Sequence, residues 1–133
     1  MTADVRQPQG ELTLRTVAMP ADTNPNGDIF GGWIMSLMDV AAGVAAGARA
    51  DGRVATAAVS NLSFIQPVKV GDVVCVYTKV LRTGRTSMTI GVEAWVLRQN
   101  RGERQRVTFA EIVMVAVDEG GRPRPLPAVE DVA

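Results

Sequence analysis

One apolar run constrains this chain more than any other part of its sequence. From Ile29 to Ala48 the single charged residue is Asp39. A carboxylate in an apolar segment costs several kcal/mol of desolvation unless it is paired, hydrogen-bonded or used in chemistry. Gly31 and Gly32 stand where a helix would begin, and N–H groups there are free and carry partial positive charge. We therefore expect Asp39 either to catalyse a reaction or to fix the preceding loop to the helix.

The run has helical periodicity and predicts a helix from Gly31 to about residues 49–52. One apolar stripe is expected to face a core, and it comprises Ile34, Leu37, Met38, Ala41, Val44 and Ala45. A second stripe of mostly small residues surrounds Asp39. Four glycines lower the helix propensity of the run, so close packing or ligand approach should compensate. The central carboxylate and the many Gly and Ala favour a buried helix over a membrane span.

Strand-like segments precede and follow the helix, at residues 12–19, 54–65, 73–81, 86–98 and 106–117. In the second, alternation places Val54, Thr56, Ala58, Ser60, Leu62 and Phe64 on one face. Residues 100–102 predict a hairpin turn. We expect one α+β domain over residues 12–127, with a five- to six-stranded antiparallel sheet around the helix and flexible tails at 1–11 and 128–133. Long Val-rich edge strands favour pairing between two copies.

Composition excludes several classes of function. Lys plus Arg and Asp plus Glu both number 14, so no basic field would attract nucleic acid or a membrane surface. The chain has no His, which removes His-based catalysis and most catalytic zinc sites, and no metal site is predicted. A single cysteine, Cys75, and no visible signal peptide favour a cytoplasmic protein.

The loop and the start of the helix resemble the hotdog-fold acyl-CoA thioesterases of the YciA type. The resemblance rests on Met19 to Asn24, Asn26 to Trp33 and Met38-Asp39. It continues downstream and covers roughly residues 12–127, through Phe64 with Pro67-Val68, Val70 to Asp72, Thr86-Ser87, Glu93 to Val96, Ala116 to Asp118 and Arg122 to Pro127. Ala58 and Ser60 depart from it, because larger and often charged residues are expected there.

The resemblance implies a hotdog fold and hydrolysis of an acyl-CoA thioester to free coenzyme A and a carboxylate. Coenzyme A would be part of the substrate and product, and no other cofactor is expected. It also implies homodimers with composite active sites, often assembled into hexamers. The alternative is a hotdog protein that binds acyl-CoA without catalysis or regulates another process. A hotdog dehydratase is disfavoured because the chain has no His.

For the reaction, Asp39 is the predicted general base or nucleophile, and the N–H groups of Gly31 and Gly32 would polarise the thioester carbonyl. A polar residue of the preceding loop should complete the site opposite the Asp39 of another subunit. Asp28 or Asn24 is predicted for that position. Asx residues in such a loop also form turns and cap helices without any catalytic role.

Two further groups could hold the substrate. Arg82, Arg85, Thr86 and Ser87 form a basic and hydroxylic group at a strand bend, suited to the phosphates of coenzyme A or simply an exposed turn. Asn61, Ser63 and Phe64 could bound the pantetheine channel, and ordinary strand packing is the other interpretation.

Overall fold

A 20-residue helix lies across one face of a five-stranded antiparallel sheet. The computed structural model describes residues 7–98 and 102–129. The elements are β1 (Glu11–Val17), a 3-10 turn (Pro20–Asp22), α1 (Gly31–Ala50), β2 (Val54–Phe64), β3 (Val73–Thr83), β4 (Ser87–Leu97) and β5 (Gln105–Ala116). In the sheet the strands follow the order β1-β3-β4-β5-β2. The predicted α+β architecture is therefore confirmed.

The predicted tails are partly ordered. β1 begins at Glu11, one residue before the predicted boundary, because Glu11 pairs with Thr78 of β3. The N–H of Gln9 donates to Glu93 Oε1 at 3.2 Å, so this residue also belongs to the fold. Residues 1–6 and 130–133, and the first two residues of the predicted hairpin turn at 100–102, lie outside the described residues.

The core forms between α1 and the inner face of the sheet. The helix contributes Ile34, Met38, Ala41, Ala42, Ala46 and Ala50, all buried. β3, β4 and β5 supply alternate buried residues such as Val76, Ile90 and Ile112. The length and apolar composition of α1 would also suit a membrane span. Here the helix packs against all five strands, as a core helix does.

β2 does not keep the strict alternation that its sequence predicts. Its register with β5 shifts between Thr56 and Ala58, and again between Ser60 and Ser63, where Asn61 has a φ of +53°. A bulge adds one residue, so each shift reverses the faces of the residues that follow. As a result Thr56, Val59 and Leu62 all face the helix, whereas Ala58 and Ser60 do not share that face.

β2 is also an edge strand with little cover. It hydrogen-bonds to β5 on one side only, and nine of its 11 residues are exposed. β1 forms the other edge and pairs with β3. The side of α1 that lies towards β2 is therefore open in the single chain.

A buried carboxylate fixes the connection between β2 and β3. Asp72 is fully buried, and its Oδ2 accepts the Lys69 N–H at 2.8 Å and pairs with Arg98 at 3.2 Å. Its backbone carbonyl accepts the Ala18 N–H at 3.0 Å. One residue thus ties this turn to the end of β1, directly beside the loop that leads into α1.

Replacing Asp72 with alanine should lower the free energy of unfolding by about 2–3 kcal/mol, because a buried acceptor and the counter-ion of Arg98 are both lost. Asp118 is a matched control, since its Oδ1 also accepts two turn N–H groups, at 2.9 Å each, but the residue is exposed. Asp118→Ala should cost about 1 kcal/mol or less. Urea denaturation at equal protein concentration measures both, and equal losses would contradict the role of burial.

Candidate active site

Asp39 lies on the wall of a cavity between α1 and β2. The cavity has a volume of about 270 Å³. The Thr56 hydroxyl donates to Asp39 Oδ1 at 2.6 Å, and no described residue donates to Oδ2. The carboxylate is exposed, contrary to the burial that its apolar surroundings in the sequence suggest. The reason is that β2 ends the sheet, so within residues 7–98 and 102–129 no further strand covers that side of the helix.

Thr56 is a site residue that the sequence analysis did not single out. It is the last residue of β2 before the first bulge, and its hydroxyl also lies 3.4 Å from Met114 Sδ. A hydroxyl in the otherwise apolar first half of β2, from Val54 to Val59, was the available signal. Its hydrogen bond fixes one oxygen of Asp39, and the other has no donor among the described residues.

The rest of this cavity is mainly apolar. Its wall is formed by Gly32, Met35, Ser36, Met38, Asp39, Thr56, Val59, Leu62, Ala110 and Ile112. The Ser36 hydroxyl is already used, because it donates to the Trp33 carbonyl at 2.6 Å. Asp39 is the charged group of this wall. A larger cavity of about 690 Å³ lies beside Trp95 and Arg104 and contains none of the predicted catalytic residues.

The N-terminus of α1 has free backbone donors, as predicted. The first bonds to the preceding turn come from Trp33 and Ile34, whose N–H groups point to the Phe30 carbonyl at 3.1 and 3.4 Å. Within the described residues, neither Gly31 N–H nor Gly32 N–H has a protein acceptor. Gly32 is exposed and lines the cavity, and a Cβ built on it would meet nothing within 4 Å.

Within one chain these donors are too far from Asp39 to share a carbonyl group with it. A helix rises 1.5 Å per residue, which separates Gly32 from Asp39 by about 10 Å along the axis. A base and an oxyanion donor must both approach the same reacting group within about 3 Å. In one copy of the chain, the Asp39 carboxylate and the N–H groups at the start of α1 are therefore too far apart to act on the same carbonyl group.

The predicted loop residues are held by local contacts. Asn24 Oδ1 accepts the N–H groups of Asn26 and Asp28 at 3.0 and 3.1 Å, which closes the turn. The Asp28 carboxylate pairs with Lys69. Phe30 N–H donates to the Asp22 carbonyl at 2.9 Å and fixes the loop at the mouth of the helix. These contacts are the turn-forming ones, and within one chain neither side chain reaches Asp39.

The predicted substrate-binding residues separate into groups. Asn61 Nδ2 donates to Glu111, and Arg82 pairs with the same carboxylate at 3.5 Å. Glu111 lies between two residues that line the inner cavity, Ala110 and Ile112, so it points to the outer face of the sheet. Asn61 and Arg82 therefore meet on the face opposite Asp39, where they do not line the cavity.

Ser63 pairs with Phe109 of β5 and, being one residue beyond Leu62, points to the outer face as well. Phe64 is different, because its ring lies against Gly31 at the N-terminus of α1 and is half exposed. Ring atoms would stand 3.1 to 3.2 Å from a Cβ on Gly31. Of the three predicted channel residues, Phe64 alone borders the free N–H groups.

Arg85, Thr86 and Ser87 lie at the β3–β4 turn. The Thr86 carbonyl accepts the Ala116 N–H at 2.9 Å, beside the start of β2, and the Arg85 carbonyl accepts the Leu126 N–H at 2.9 Å. This turn is thus at the C-terminal end of α1 and does not contribute to the cavity around Asp39.

A helix enclosed on one side by a curved antiparallel sheet in this strand order is a hotdog fold. The model of the Thioesterase superfamily matches residues 26–103, which is more than half of the sequence. The chain belongs to the thioesterase superfamily. The resemblance inferred from the loop and helix residues is therefore confirmed.

Individual relatives agree with this family. The acyl-CoA thioester hydrolase YciA of Salmonella typhimurium is 52% identical over 130 residues, covering 96% of this chain and 98% of the relative. The hexameric thioesterase y2039 from Yersinia pestis is 53% identical with a TM-score of 0.88, covering 92% of this chain and 100% of that chain. HI0827, a hexameric broad specificity acyl-coenzyme A thioesterase, is 53% identical with a TM-score of 0.85, covering 92% and 84%.

Gly32→Ala should raise the free energy of unfolding by about 0.5 kcal/mol, because alanine is the better helix former and the added methyl group meets nothing. Gly31→Ala is the matched variant one position earlier. There the new methyl group contacts the Phe64 ring, which must shift, so the gain should be cancelled. Urea denaturation of both variants measures the difference, and an equal gain at both positions would show that the Phe64 contact has no energetic effect.

Proposed function

We propose that this protein hydrolyses the thioester bond of acyl-CoA, with Asp39 as the group that activates water or attacks the carbonyl carbon. The observation that carries this proposal is the Asp39 carboxylate on the wall of an apolar cavity, with Oδ1 held by Thr56 at 2.6 Å. Relatives about 52% identical over nearly the whole chain are named acyl-CoA thioester hydrolases, and the predicted activity agrees with them.

The chemistry follows from the two ends of the site. Attack on a thioester carbonyl places negative charge on its oxygen, and backbone N–H groups at a helix N-terminus stabilise that charge. The free N–H groups of Gly31 and Gly32 fit this task, since glycine permits close approach. The free Oδ2 of Asp39 can accept the proton of a water molecule. No metal or separate cofactor is required, because coenzyme A enters with the substrate and leaves as a product.

We propose that the site is completed between two copies of the chain. The separation of about 10 Å between Gly32 and Asp39 supports this, because one copy does not bring both to one carbonyl. β2 leaves a whole side of its backbone unpaired, and an edge strand of 11 residues favours pairing with another chain. In this arrangement Asp39 of one subunit faces the loop containing Asn24 and Asp28 of another.

Gly43 of α1 supports the same assembly. A Cβ on Gly43 would touch only Met114 Cε, at 3.8 Å, an ordinary contact. Packing within one chain therefore does not explain why glycine stands at this position. Val40 and Val44 on the same open side are each 58% exposed. A second copy against this surface would bury them, and dimers of this kind would assemble into the hexamer known for the relatives.

The cellular setting is a further part of the proposal. Cys75 is a buried free thiol, which suits a reducing compartment, and we propose that the enzyme acts in the cytoplasm. The partners proposed are the acyl-CoA substrate and further copies of the chain.

Asp39→Asn should lower kcat for acyl-CoA hydrolysis at least about tenfold, equivalent to about 1.4 kcal/mol of barrier, because the amide cannot accept a proton. Release of free thiol from a panel of acyl-CoAs measures the rate, and circular dichroism and size-exclusion chromatography check that fold and assembly persist. Undiminished turnover would contradict the role of Asp39. If the native protein turns over no acyl-CoA, the non-catalytic binding function is the better account.

Thr56→Val should also lower kcat, because the hydroxyl that orients Asp39 is lost while the side-chain volume is kept. Thr56→Ser is the matched control, since it restores the donor and should recover most of the turnover. A loss of the same size in both variants would assign Thr56 to packing.

Mixed assemblies test whether the site is shared. Gly32→Pro removes one N–H in the first turn of α1, where no intrahelical hydrogen bond is lost, and should lower kcat by about 10²–10³. Co-expression of Gly32→Pro with Asp39→Asn should recover about a quarter of native turnover, because half of the dimers would be hybrids with one intact site. Gly32→Ala keeps the N–H and should lose less turnover than Gly32→Pro. Recovery no greater than that of the separate variants would mean that each site lies within one chain.

A further inference from the structure

The second bulge of β2 determines which side chains this strand turns towards α1. From Ser60 to Ser63 the register advances by three residues of β2 against two of β5. Val59 lines the cavity, so simple alternation would direct Asn61 to the helix and Leu62 away from it. The bulge reverses this order, and Leu62 lines the same cavity wall as Asp39.

Asn61 occupies a backbone conformation at this bulge that few residues adopt. Its φ is +53°. This conformation is unfavourable for a residue with a Cβ, although less so for Asn than for most others. β2 is an edge strand, and within the described residues β5 is the one strand that pairs with it. A side-chain contact that anchors Asn61 would therefore stabilise the bulge.

The carboxylate of Glu111 provides such an anchor. Asn61 Nδ2 donates to Glu111 Oε2, and Arg82 approaches Oε1 at 3.5 Å from β3. The Glu111 side chain is 24% exposed, and Phe109 and Val113 flank it on the same face of β5. A hydrogen bond to a carboxylate is stronger than a neutral one, and partial shielding from water strengthens it further. The Arg82 side chain is 67% exposed, so its ion pair contributes less.

We infer that Glu111 is a positioning residue, because its contact with Asn61 fixes the bulge that places Leu62 in the cavity wall. This inference rests on the proposed thioesterase function. Glu111 lies on the outer face of the sheet, outside the cavity, and touches no substrate there. It acts through Leu62, whose side chain bounds the apolar space beside Asp39.

The same bulge places a second residue of the site. Phe64 follows Leu62 by two residues and shares its face, and the Phe64 ring lies against Gly31. Loss of the bulge would turn both side chains to the outer face and open the cavity wall. Thr56 precedes this bulge, so its hydrogen bond to Asp39 would persist. Binding of the acyl group should therefore change more than the chemical step.

Kinetics with acyl-CoAs of increasing chain length measure this separation. Glu111→Ala should raise KM for long acyl chains about tenfold, because a long chain has more apolar surface to place against Leu62. For acetyl-CoA the rise in KM should be less than about twofold, and kcat should stay within about twofold for every substrate. A fall in kcat without a change in KM would overturn the inference.

An exchange of donor and acceptor tests the contact itself. Asn61→Asp keeps the shape and the tolerance of positive φ, but it places two carboxylates together and should raise KM as Glu111→Ala does. Glu111→Gln keeps an oxygen acceptor and should stay near the native KM. The double variant Asn61→Asp with Glu111→Gln restores a hydrogen bond in the opposite direction and should recover the native KM. Failure of this recovery would overturn the inference.

Two further variants show where Glu111 acts. In the Leu62→Ala background, Glu111→Ala should cause no additional rise in KM, because residues that act through one another are not additive. Fully additive effects would mean that Glu111 does not act through Leu62. Arg82→Gln is the matched control for loss of a charge on the same face, and it should change KM less than about twofold.

Hydrogen exchange of the backbone amides at residues 61–64 separates this inference from the proposed function, because it needs no substrate. Exchange there should be about tenfold faster in Asn61→Asp and native in the double variant with Glu111→Gln. If the native protein hydrolyses no acyl-CoA, the proposed function fails, whereas this exchange pattern still supports the role of Glu111 in fixing the bulge. Unchanged exchange in Asn61→Asp would overturn that role.

Discussion

Burial of α1 against the inner face of the sheet is the interaction on which the rest of the structure depends. The helix supplies the core with one stripe of Ile, Met and Ala, and this fixes its rotation about its own axis. With the rotation set, Asp39 must project to the side, towards β2, where Thr56 meets it. The position of the Asp39 carboxylate is thus a consequence of core packing.

The same packing covers the two sides of α1 to different extents. One side of α1 is closed by β1 and β3, whereas the side towards β2 carries glycines and exposed valines beside a strand with one unpaired edge. Glycines lower the helix propensity of α1, and exposed valines contribute no burial of apolar surface. A single chain therefore leaves this side of α1 unfavourably exposed. In the proposed dimer, assembly and catalysis use the same surface, which explains why the features that look unfavourable in one copy occur together.

Much of the fold could be predicted from the sequence, because periodicity and turn residues report directly on burial. The bounds of α1 and of most strands differ from prediction by two residues or fewer. The sequence therefore predicts where the helix and strands begin and end, but not which face of the sheet each side chain of β2 occupies. Two bulges in β2 reversed the expected faces, and nothing in the residue pattern from Val54 to Phe64 announces them. Asn61 adopts a positive φ at the second bulge, and Asn tolerates this backbone conformation better than most residues do.

The site was predictable to the same degree. Asp39 and the two glycines stood out because a lone charge and paired glycines are unusual in an apolar run. Thr56 did not, since a threonine in a strand is ordinary and its importance comes only from what it meets. Asp39 is exposed in one chain although it lies in an apolar run, because local sequence does not reveal which side of a helix the sheet leaves open.

The bulges of β2 also bear on how the length of this strand can change over evolution. In each bulge, more residues of β2 than of β5 occupy the same stretch of the ladder. Loss of Ala57 would remove the surplus residue of the first bulge and return that part of β2 to simple alternation, with Thr56 still facing α1. A deletion between the bulges would instead turn the following residues over. Length variation among relatives should therefore occur mainly at the bulges, where the strand can shorten while the Thr56 hydroxyl still faces Asp39.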